Sequence, residues 1–302
     1  MIQQITIIGT GLVGGSFALA LKKRGFAGRI VGCDRADVLA RAGAMGALDT
    51  AEEDPVRAVK GSEVVLLAAP VGAIIDLIER VGPLMHETAL LADAGSTKGD
   101  IVARAQQVFG DASIRRFLPG HPMAGKEVSG VESADSDLFQ DRAWVLTPPG
   151  GMAAMVSPEF GRGNHSEFIR LLELIGARVV VLTAERHDRI CAYTSHLPQM
   201  LSTALAACIE EEVGAEKALG ALSGRALREM TRIAQSPYGM WRDVALTNTR
   251  NLHDALLKME QRLAHIRENL KTRALQEEFD RARELDLDGV RPKQDDFEPP
   301  KF

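Results

Sequence analysis

The sequence of 302 residues predicts an α/β domain with a doubly wound parallel sheet over residues 1–184 and an all-α domain over residues 185–290. Two observations lead to this division. Apolar, β-branched runs alternate with helical segments as far as Thr183, which is typical of a mostly parallel sheet covered by helices. After Thr183 the strand pattern stops and apolar residues recur at helical spacing. The polar, proline-rich residues 291–302 are predicted to be a disordered tail.

The composition excludes several functional classes. Hydrophobic residues make up 45% and charged residues 25% of the chain, as in a globular protein with a large core. The net charge of −5 offers no general attraction for nucleic acid or an anionic membrane, and no apolar run is long enough to cross a bilayer. The three cysteines are widely spaced and form no CxxC motif, which predicts a cytoplasmic protein with neither disulfides nor a metal site.

The first element combines a strand, a glycine-rich turn and a helix. A β-branched run at residues 5–8 is followed by G-x-G-x-x-G and then by helical spacing. In this context Gly9 makes the tight turn, Gly11 lets a pyrophosphate approach the backbone, and Gly14 lets the helix pack closely on the strand. The phosphates would rest on the helix N-terminus. The sequence therefore predicts a Rossmann-type dinucleotide-binding domain, with cofactor contacts from Gly9, Thr10, Gly11, Leu12, Val13 and Gly14.

The second strand ends in an acidic residue, Asp34. A carboxylate at this position can accept hydrogen bonds from both ribose hydroxyls of NAD and would repel the 2′-phosphate of NADP. NAD is therefore the predicted cofactor, although the neighbouring Arg35 leaves NADP open. The alternative is a solvated aspartate after an ordinary βαβ turn.

Further strands are predicted at residues 62–70, 89–99, 143–148 and 177–183 of the same parallel sheet. Ligands bind such sheets beyond the carboxyl ends of the strands. Pro70 and Ser96 fall there, and so does "GHPMAGKEVSG" at residues 120–130, which is predicted to be a loop that places His121 at the mouth of a nicotinamide site. The stretch 148–164, rich in Gly, Pro and Met, is predicted to be an exposed, mobile loop without chemistry.

Two features of the second half bear on function. Pro198 lies inside a long apolar helical segment and is predicted to kink it beside His196, which is either a pocket residue or a satisfied core histidine. Arg225, Arg228 and Arg232 fall on one helical face and indicate either an anion site or a solvated basic face.

A narrow apolar seam runs along the last long helix. Its members repeat at 4-3-4-3-4 spacing and need another helix to cover them, either in the same domain or in a homodimer partner. They are Leu252, Leu256, Met259, Leu263, Ile266 and Leu270.

Taken together, these motifs resemble the prephenate and arogenate dehydrogenases of tyrosine biosynthesis. The resemblance rests on "GTGLVGGS", "DAGSTKG", "GHPMAGKEVSG", "SHLPQ" and "TRIAQSPYGMW", in that order along the chain. It implies a homodimer formed through the helical domain and NAD-dependent oxidative decarboxylation of prephenate to 4-hydroxyphenylpyruvate. Arogenate, or both substrates, is the alternative.

The resemblance also implies residue roles. His121 matches the histidine that takes the proton of the substrate hydroxyl, and Ser96 matches a serine that bridges this hydroxyl, the histidine and the cofactor. Arg232 matches the arginine that binds the substrate carboxylate. Glu127 matches a gating acid, whereas Gln199 departs from the histidine of many relatives and leaves the choice of substrate open. The implied substrate-binding residues are Arg232, Glu127, His196, Gln199 and Trp241.

Two other functions fit the same architecture. A 3-hydroxyacid-type dehydrogenase would use a helical lysine as its acid/base, and no convincing Gly-x-x-x-Lys element occurs in the middle of this chain. A non-catalytic NAD-binding protein would not need His121, Ser96 and Arg232 together.

Overall fold

The computed structural model describes residues 2–126, 128–149, 163–285 and 287. Within this part of the chain, six parallel strands form one sheet in the order β3-β2-β1-β4-β5-β6. The strands are β1 Gln4–Ile8, β2 Arg29–Cys33, β3 Thr50–Glu52, β4 Val64–Leu67, β5 Leu90–Asp93 and β6 Phe117–Leu118. The helices around them are α1 Leu12–Lys23, α2 Ala36–Ala44, α3 Pro55–Ala58, α4 Val71–Val81, α5 Gly99–Phe109 and α6 Ser113–Arg116.

The sheet is covered on both faces, which explains why its strands are almost continuously apolar. Alternate residues of β1 point to opposite sides. Ile5 and Ile7 pack in one core with Phe17 of α1, whereas Ile8 packs in a second core with Val71 of α4. The predicted Rossmann-type domain is therefore confirmed.

A second, three-stranded sheet lies beside the first. It contains β7 Gly120–Pro122, β8 Ala143–Leu146 and β9 Arg178–Val181, with β7 antiparallel and β9 parallel to the central β8. The predicted strands at 143–148 and 177–183 therefore do not extend the parallel sheet, and the predicted loop at 120–130 begins as a strand. Both predictions are wrong in these respects.

Aromatic packing explains the second sheet. Trp144 of β8 is fully buried, with its ring centroid 5.8 Å from that of Phe17 and 5.1 Å from that of Phe139. Because Phe17 belongs to α1 and shares one buried core with Ile5 and Ile7 of β1, the second sheet packs against α1 and this core instead of extending the parallel sheet. Helix Asn164–Leu174 precedes β9 and adds Phe168 to the same cluster.

The second half is helical, as predicted. Its elements are Ala184–Cys191, a π-helical turn at Ala192–His196, Leu197–Val213, Leu219–Leu222, Arg225–Thr231, Tyr238–Thr247, Thr249–Glu268 and Arg273–Arg283. Short 3-10 turns occur at Gly82–Leu84, Gly110–Ala112, Val131–Ser133 and Arg232–Gln235. Within the described residues, no helix combines the length and the apolar character needed to cross a membrane.

Pro198 follows an irregular turn in the first long helical run of this half, at the place where a kink was predicted. The ring nitrogen of Pro198 cannot donate to the carbonyl of Thr194. The backbone widens into the π-helical turn Ala192–His196 just before Leu197–Val213 begins. Such turns re-aim side chains within a helix, and here the turn ends on His196.

The apolar seam is only partly covered within one chain. Leu252 is buried, but the side chain of Leu263 is 53% exposed. Leu270 is 61% exposed and lies beyond the end of helix Thr249–Glu268. The end of this helix therefore presents apolar side chains that the described part of the chain does not cover.

Three predictions fall on residues outside the described part of the chain. These are the gating role of Glu127, most of the predicted loop at 148–164 and the predicted tail at 291–302.

Candidate active site

The glycine turn after β1 has the geometry that its three predicted tasks require. Gly9 has φ +93°, and a Cβ there would lie 2.4 Å from the carbonyl oxygen of Ala68. A Cβ on Gly14 would lie 2.0 Å from the carbonyl oxygen of Gly9. A Cβ on Gly11 would meet nothing within 4 Å, so the backbone of this residue faces open space where a pyrophosphate could approach.

This open space belongs to a cleft at the carboxyl ends of β1, β2 and β4. The cleft has a volume of about 530 Å³, which is large enough for a nucleoside. Its lining includes several of the predicted cofactor residues. The lining residues relevant here are Gly9, Gly11, Asp34, Arg35, Glu53 and Pro70.

The Asp34 carboxylate is held in place by backbone donors. One oxygen accepts a hydrogen bond from the Thr10 N–H at 2.8 Å, and the other accepts from the Arg35 N–H at 2.8 Å. Thr10 is fully buried, so its role in the structure is to orient Asp34. Leu12 and Val13 open helix α1 and are half-buried, and their contacts with a cofactor stay a prediction.

His121 lies on β7 and is joined to a second histidine. Its Nδ1 is 2.8 Å from Nε2 of His187. Nδ1 of His187 is in turn 2.8 Å from Oδ1 of Asp188. Because a carboxylate only accepts, the proton on His187 belongs to Nδ1, and Nε2 of a neutral His187 is an acceptor. His121 then carries its proton on Nδ1, and its Nε2 has a free lone pair.

Asp188 also caps helix α5. Its two carboxylate oxygens accept the backbone N–H groups of Lys98 and Gly99, both at 2.8 Å. A negative charge at a helix N-terminus is stabilised by the unpaired N–H groups and by the dipole. Asp188 therefore connects the helical half, the first domain and the two histidines.

A buried ion pair holds the backbone immediately before His121. The ammonium of Lys98 donates to the Asp93 carboxylate and, at 2.5 Å, to the carbonyl oxygen of Gly120. Asp93 also accepts from the Gly120 N–H at 3.3 Å. Both side chains are fully buried, so burial raises the pKa of Asp93 and lowers that of Lys98, while their mutual contact opposes both shifts. The backbone N–H and carbonyl of Gly120 are therefore both held by the Asp93–Lys98 pair.

The surroundings of His121 favour its neutral form. Burial of the imidazole lowers its pKa well below the ordinary value of 6.5, and the nearby His187, Lys98 and His196 lower it further. A neutral imidazole with an unprotonated Nε2 is a proton acceptor at neutral pH.

The helical half contributes His196 and Trp241, which contact each other. Their ring centroids are 6.1 Å apart at an interplanar angle of 80°. Nδ1 of His196 is 3.2 Å from Nδ2 of Asn248, whose Nδ2 also donates to the carbonyl oxygen of Asp188 at 2.8 Å. Burial lowers the pKa of His196 to about 4, so this ring is also neutral at pH 7.

Gln199 is buried and bonded to protein groups. Its Nε2 donates to the carbonyl oxygen of Ile233 at 2.9 Å and to the Thr203 hydroxyl at 3.2 Å. Ile233 follows Arg232 in the 3-10 turn Arg232–Gln235, so Gln199 supports the backbone of the turn that carries Arg232. A direct contact of Gln199 with substrate stays a prediction.

The three predicted arginines are all exposed and lie on two successive elements. Helix Arg225–Thr231 ends before Arg232, which lies on the following turn with an exposed side chain. Arg225 is paired with Glu229 at 2.6 Å, and its side chain is 92% exposed. Arg225 therefore fits the solvated basic face, and Arg232 stays an anion-binding candidate.

Ser96 lies in the turn between β5 and α5, two residues before Lys98, and is half-buried. Its hydroxyl makes no hydrogen bond to the residues that the structure describes. It therefore keeps both donor and acceptor capacity at the carboxyl end of a sheet strand.

The residues that position His121, namely Asp93, Lys98, His187 and Asp188, were not predicted from the sequence. Asn248, which contacts His196, was not predicted either. The signals were the Lys in "DAGSTKG" and the His-Asp pair that precedes "SHLPQ". No metal site was predicted, yet Cys191 Sγ lies 3.4 Å from His187 Nε2, and the ligand atoms of His121, His187 and Cys191 all lie within 4.8 Å of one another.

Comparison with known proteins agrees with this arrangement. The chain is 32% identical over 247 residues to the prephenate dehydrogenase of Lactococcus lactis, a match that covers 82% of this chain but only 65% of that protein. It is 30% identical over 248 residues to the cyclohexadienyl dehydrogenase of Zymomonas mobilis, covering 82% and 81% of the two chains.

A solved structure is similar along nearly its whole length. It is the prephenate dehydrogenase of A. aeolicus in complex with hydroxyphenyl propionate and NAD+. The TM-score is 0.82 at 29% identity, with 94% of this chain and 96% of that chain covered.

Two family profiles match successive parts of the chain. The prephenate dehydrogenase nucleotide-binding domain matches residues 17–181, and the prephenate dehydrogenase dimerization domain matches residues 183–284. With its Rossmann-type domain, its helical second half and these two matches, the chain belongs to the prephenate dehydrogenase family.

Proposed function

We propose that this protein catalyses the NAD-dependent oxidative decarboxylation of prephenate to 4-hydroxyphenylpyruvate. The proposal rests on the two successive hydrogen bonds that join His121 to His187 and His187 to Asp188. They leave a lone pair on Nε2 of a neutral His121. The family membership supplies the reaction class, and the named relatives supply the substrate class.

The proton of the substrate hydroxyl passes to Nε2 of His121. The imidazolium that forms donates from Nδ1 to His187, whose own Nδ1 proton faces Asp188. Charge on His121 is thus spread toward a fixed carboxylate rather than left in a buried pocket. The carbon that carried the hydroxyl loses a hydride as its carbonyl forms, and the ring carboxylate leaves as CO2 with aromatisation of the ring.

NAD is proposed as the acceptor of this hydride. The residues fit it, because the backbone at Gly11 is open and the Asp34 carboxylate is held at the rim of the same cleft. Glu53 adds a second acid to that lining and would disfavour a 2′-phosphate. Pro70 lines the cleft near the proposed nicotinamide end, and Ser96 would bridge the substrate hydroxyl and the cofactor.

Substrate binding is assigned to the helical half. Arg232 would bind a carboxylate of the substrate, since a guanidinium can make two parallel hydrogen bonds to it. Nδ1 of His196 faces the donor group of Asn248, so its proton lies on Nε2 and can be donated to substrate. Trp241 would close the apolar side, with Gln199 at the edge of the pocket, and Glu127 is proposed as the gating acid.

Arogenate is the second candidate substrate. It differs from prephenate only in carrying an amino acid instead of a keto acid side chain. A neutral Gln199 offers no charge that would select either group, and one relative is a cyclohexadienyl dehydrogenase. Assays of the purified chain with each substrate and NAD, followed by the absorbance of NADH, test the proposal. No turnover with either substrate would refute it.

A lysine-based 3-hydroxyacid dehydrogenase mechanism is not favoured. Lys98 bonds the residue before His121, and its ammonium is fully buried between Asp93 and Gly120. It can position the backbone of His121 but cannot reach a substrate without breaking the buried ion pair.

A cytoplasmic homodimer is also proposed. The family profile for the second half is that of a dimerization domain, and the apolar side chains of Leu263 and Leu270 are exposed in the single chain. Another copy of this half would cover them. Light scattering at micromolar concentration tests this, and a monomer would contradict it.

A further inference from the structure

A group of soft metal ligands lies directly behind His121. Cys191 is on the same helix as His187, one turn further on, and its Sγ is 3.4 Å from His187 Nε2. Both residues are buried, and His121 completes the group from β7. We propose that His121, His187 and Cys191 form an inhibitory binding site for zinc or a similar soft divalent ion. The inhibitory effect, though not the binding, rests on the proposed role of His121.

The spacing of the three atoms suits a single ion. Nδ1 of His121 and Nε2 of His187 are 2.8 Å apart, and all three ligand atoms lie within 4.8 Å of one another. Zinc binds nitrogen and sulfur at about 2.0–2.3 Å, so two ligands of a tetrahedral ion are somewhat more than 3 Å apart. The site would be complete if Nδ1 of His121 and Nε2 of His187 moved slightly apart and Sγ of Cys191 moved slightly closer to the two histidines.

The support behind His187 matches that of histidines that bind metals. Such a histidine usually donates its other ring N–H to a carboxylate, which orients the ring and increases its basicity. Here His187 Nδ1 is 2.8 Å from Asp188 Oδ1, and Asp188 is itself held by Lys98 N–H and Gly99 N–H.

The charges around the site also balance. An ion of charge +2 would meet the Cys191 thiolate and the Asp188 carboxylate. The buried Asp93–Lys98 pair adds no net charge whichever partner holds the proton. The bound site would be neutral overall, as a buried site should be.

Binding would switch off the proposed base through its tautomer. The Cys191 thiol proton leaves to solvent, and the ion takes the lone pair of His187 Nε2. The proton of His121 Nδ1 moves to Nε2 so that Nδ1 can bind the ion. His121 then presents an N–H where the lone pair was, and it cannot accept the substrate proton.

Binding is tested first without turnover, with Co²⁺ as the probe on the ligand-free protein. A thiolate bound to Co²⁺ gives a charge-transfer band in the near ultraviolet, and we expect this band to saturate at one ion per chain. Cys191→Ser should remove the band. Cys208→Ser is the matched control, because Cys208 is exposed and outside the group, and it should keep the band. Absence of the band in the unmodified protein, or its persistence in Cys191→Ser, would overturn the proposal.

Inhibition is then measured with Zn²⁺, each protein being compared with its own zinc-free rate. We expect kcat of the unmodified enzyme to fall while KM stays the same. Cys191→Ser should need at least about tenfold more Zn²⁺ for the same inhibition, and Cys208→Ser should behave like the unmodified enzyme. Equal sensitivity of Cys191→Ser and the unmodified enzyme would also overturn the proposal. Failure of the dehydrogenase assay itself would leave the Co²⁺ result intact, so the two proposals fail separately.

Discussion

His121 and His187 are joined by a hydrogen bond of 2.8 Å between Nδ1 and Nε2, across 66 positions of the chain. One residue lies on a strand of the first domain and the other on the first helix of the second half. The proposed base is therefore oriented from outside its own domain, and the two halves must be correctly packed for His121 to have the right tautomer.

His121→Asn tests the base itself. Asparagine keeps a neutral hydrogen-bonding side chain but cannot take a proton, so kcat should fall by about 10²–10⁴-fold. Binding of NAD and substrate should change little, because the proposed contacts of both lie elsewhere. Steady-state kinetics and thermal unfolding should be measured on the same preparation. If turnover per folded molecule stayed normal, His121 would only brace its strand.

Asp188→Asn tests the tautomer control. An amide can donate to His187 Nδ1 and so favour the wrong tautomer of both histidines, and we expect kcat to fall by about tenfold or more. Stability should fall too, because Asp188 caps helix α5.

Asp243→Asn is a matched control for this effect. Asp243 also comes from the helical half and accepts a backbone N–H near a helix start, that of Gly72 at 3.0 Å, but it has no hydrogen bond to either histidine. It should lose a similar amount of stability with little change in turnover per folded molecule. Equal losses of turnover in both variants would contradict the tautomer argument.

Asp34→Ala tests cofactor choice. The unmodified enzyme should prefer NAD over NADP by at least about tenfold in kcat/KM, and the variant should lose most of that preference. Thr10 N–H loses its acceptor in the variant, so the affinity for NAD should also decrease. Equal use of both cofactors by the unmodified enzyme would remove the argument from Asp34.

Arg232→Ala tests carboxylate binding. Loss of a charge-assisted contact should raise KM for prephenate by about 10–100-fold, with a smaller change in kcat, since the contact exists in the ground and transition states alike. Arg225→Ala is the control, because Arg225 pairs with Glu229 on the solvated face. A KM that rises equally in both variants would indicate a general effect of positive charge.

His165 predicts how stability depends on pH. Burial lowers its pKa to about 4 in the folded protein, whereas the unfolded value is about 6.5. Between these two pKa values, the unfolded state binds a proton on His165 and the folded state does not. Above pH 6.5, His165 does not change the free energy of unfolding. As the pH falls from 6.5 toward 4, this residue lowers the free energy of unfolding, by about 3 kcal/mol in total. Denaturant unfolding of His165→Gln should show a shallower loss over this range, and an identical slope would contradict the assignment.

Local spacing determined much of this protein. The strand, glycine turn and helix at the start, Asp34 after the second strand, the change to helices after Thr183 and the irregular turn before Pro198 all follow from residues that are neighbours in the chain. Each depends on backbone preferences or on periodicity within about twenty residues, which a single sequence displays directly. The positions of His121 in a loop beyond the strands and of Arg232 on a helical face also follow from local patterns, whereas their roles follow only from the resemblance to a family.

Only the tertiary structure decided how the site is completed. His121 forms a hydrogen bond with His187, and Lys98 donates to the carbonyl of Gly120. Gln199 donates to the backbone of the turn that carries Arg232. Each of these contacts joins segments that are distant in the sequence. The separate three-stranded sheet has the same origin, because the burial of Trp144 against Phe17 outweighs the alternation that suggested one continuous sheet. Such contacts depend on how whole elements pack against each other, and no spacing within one segment encodes them.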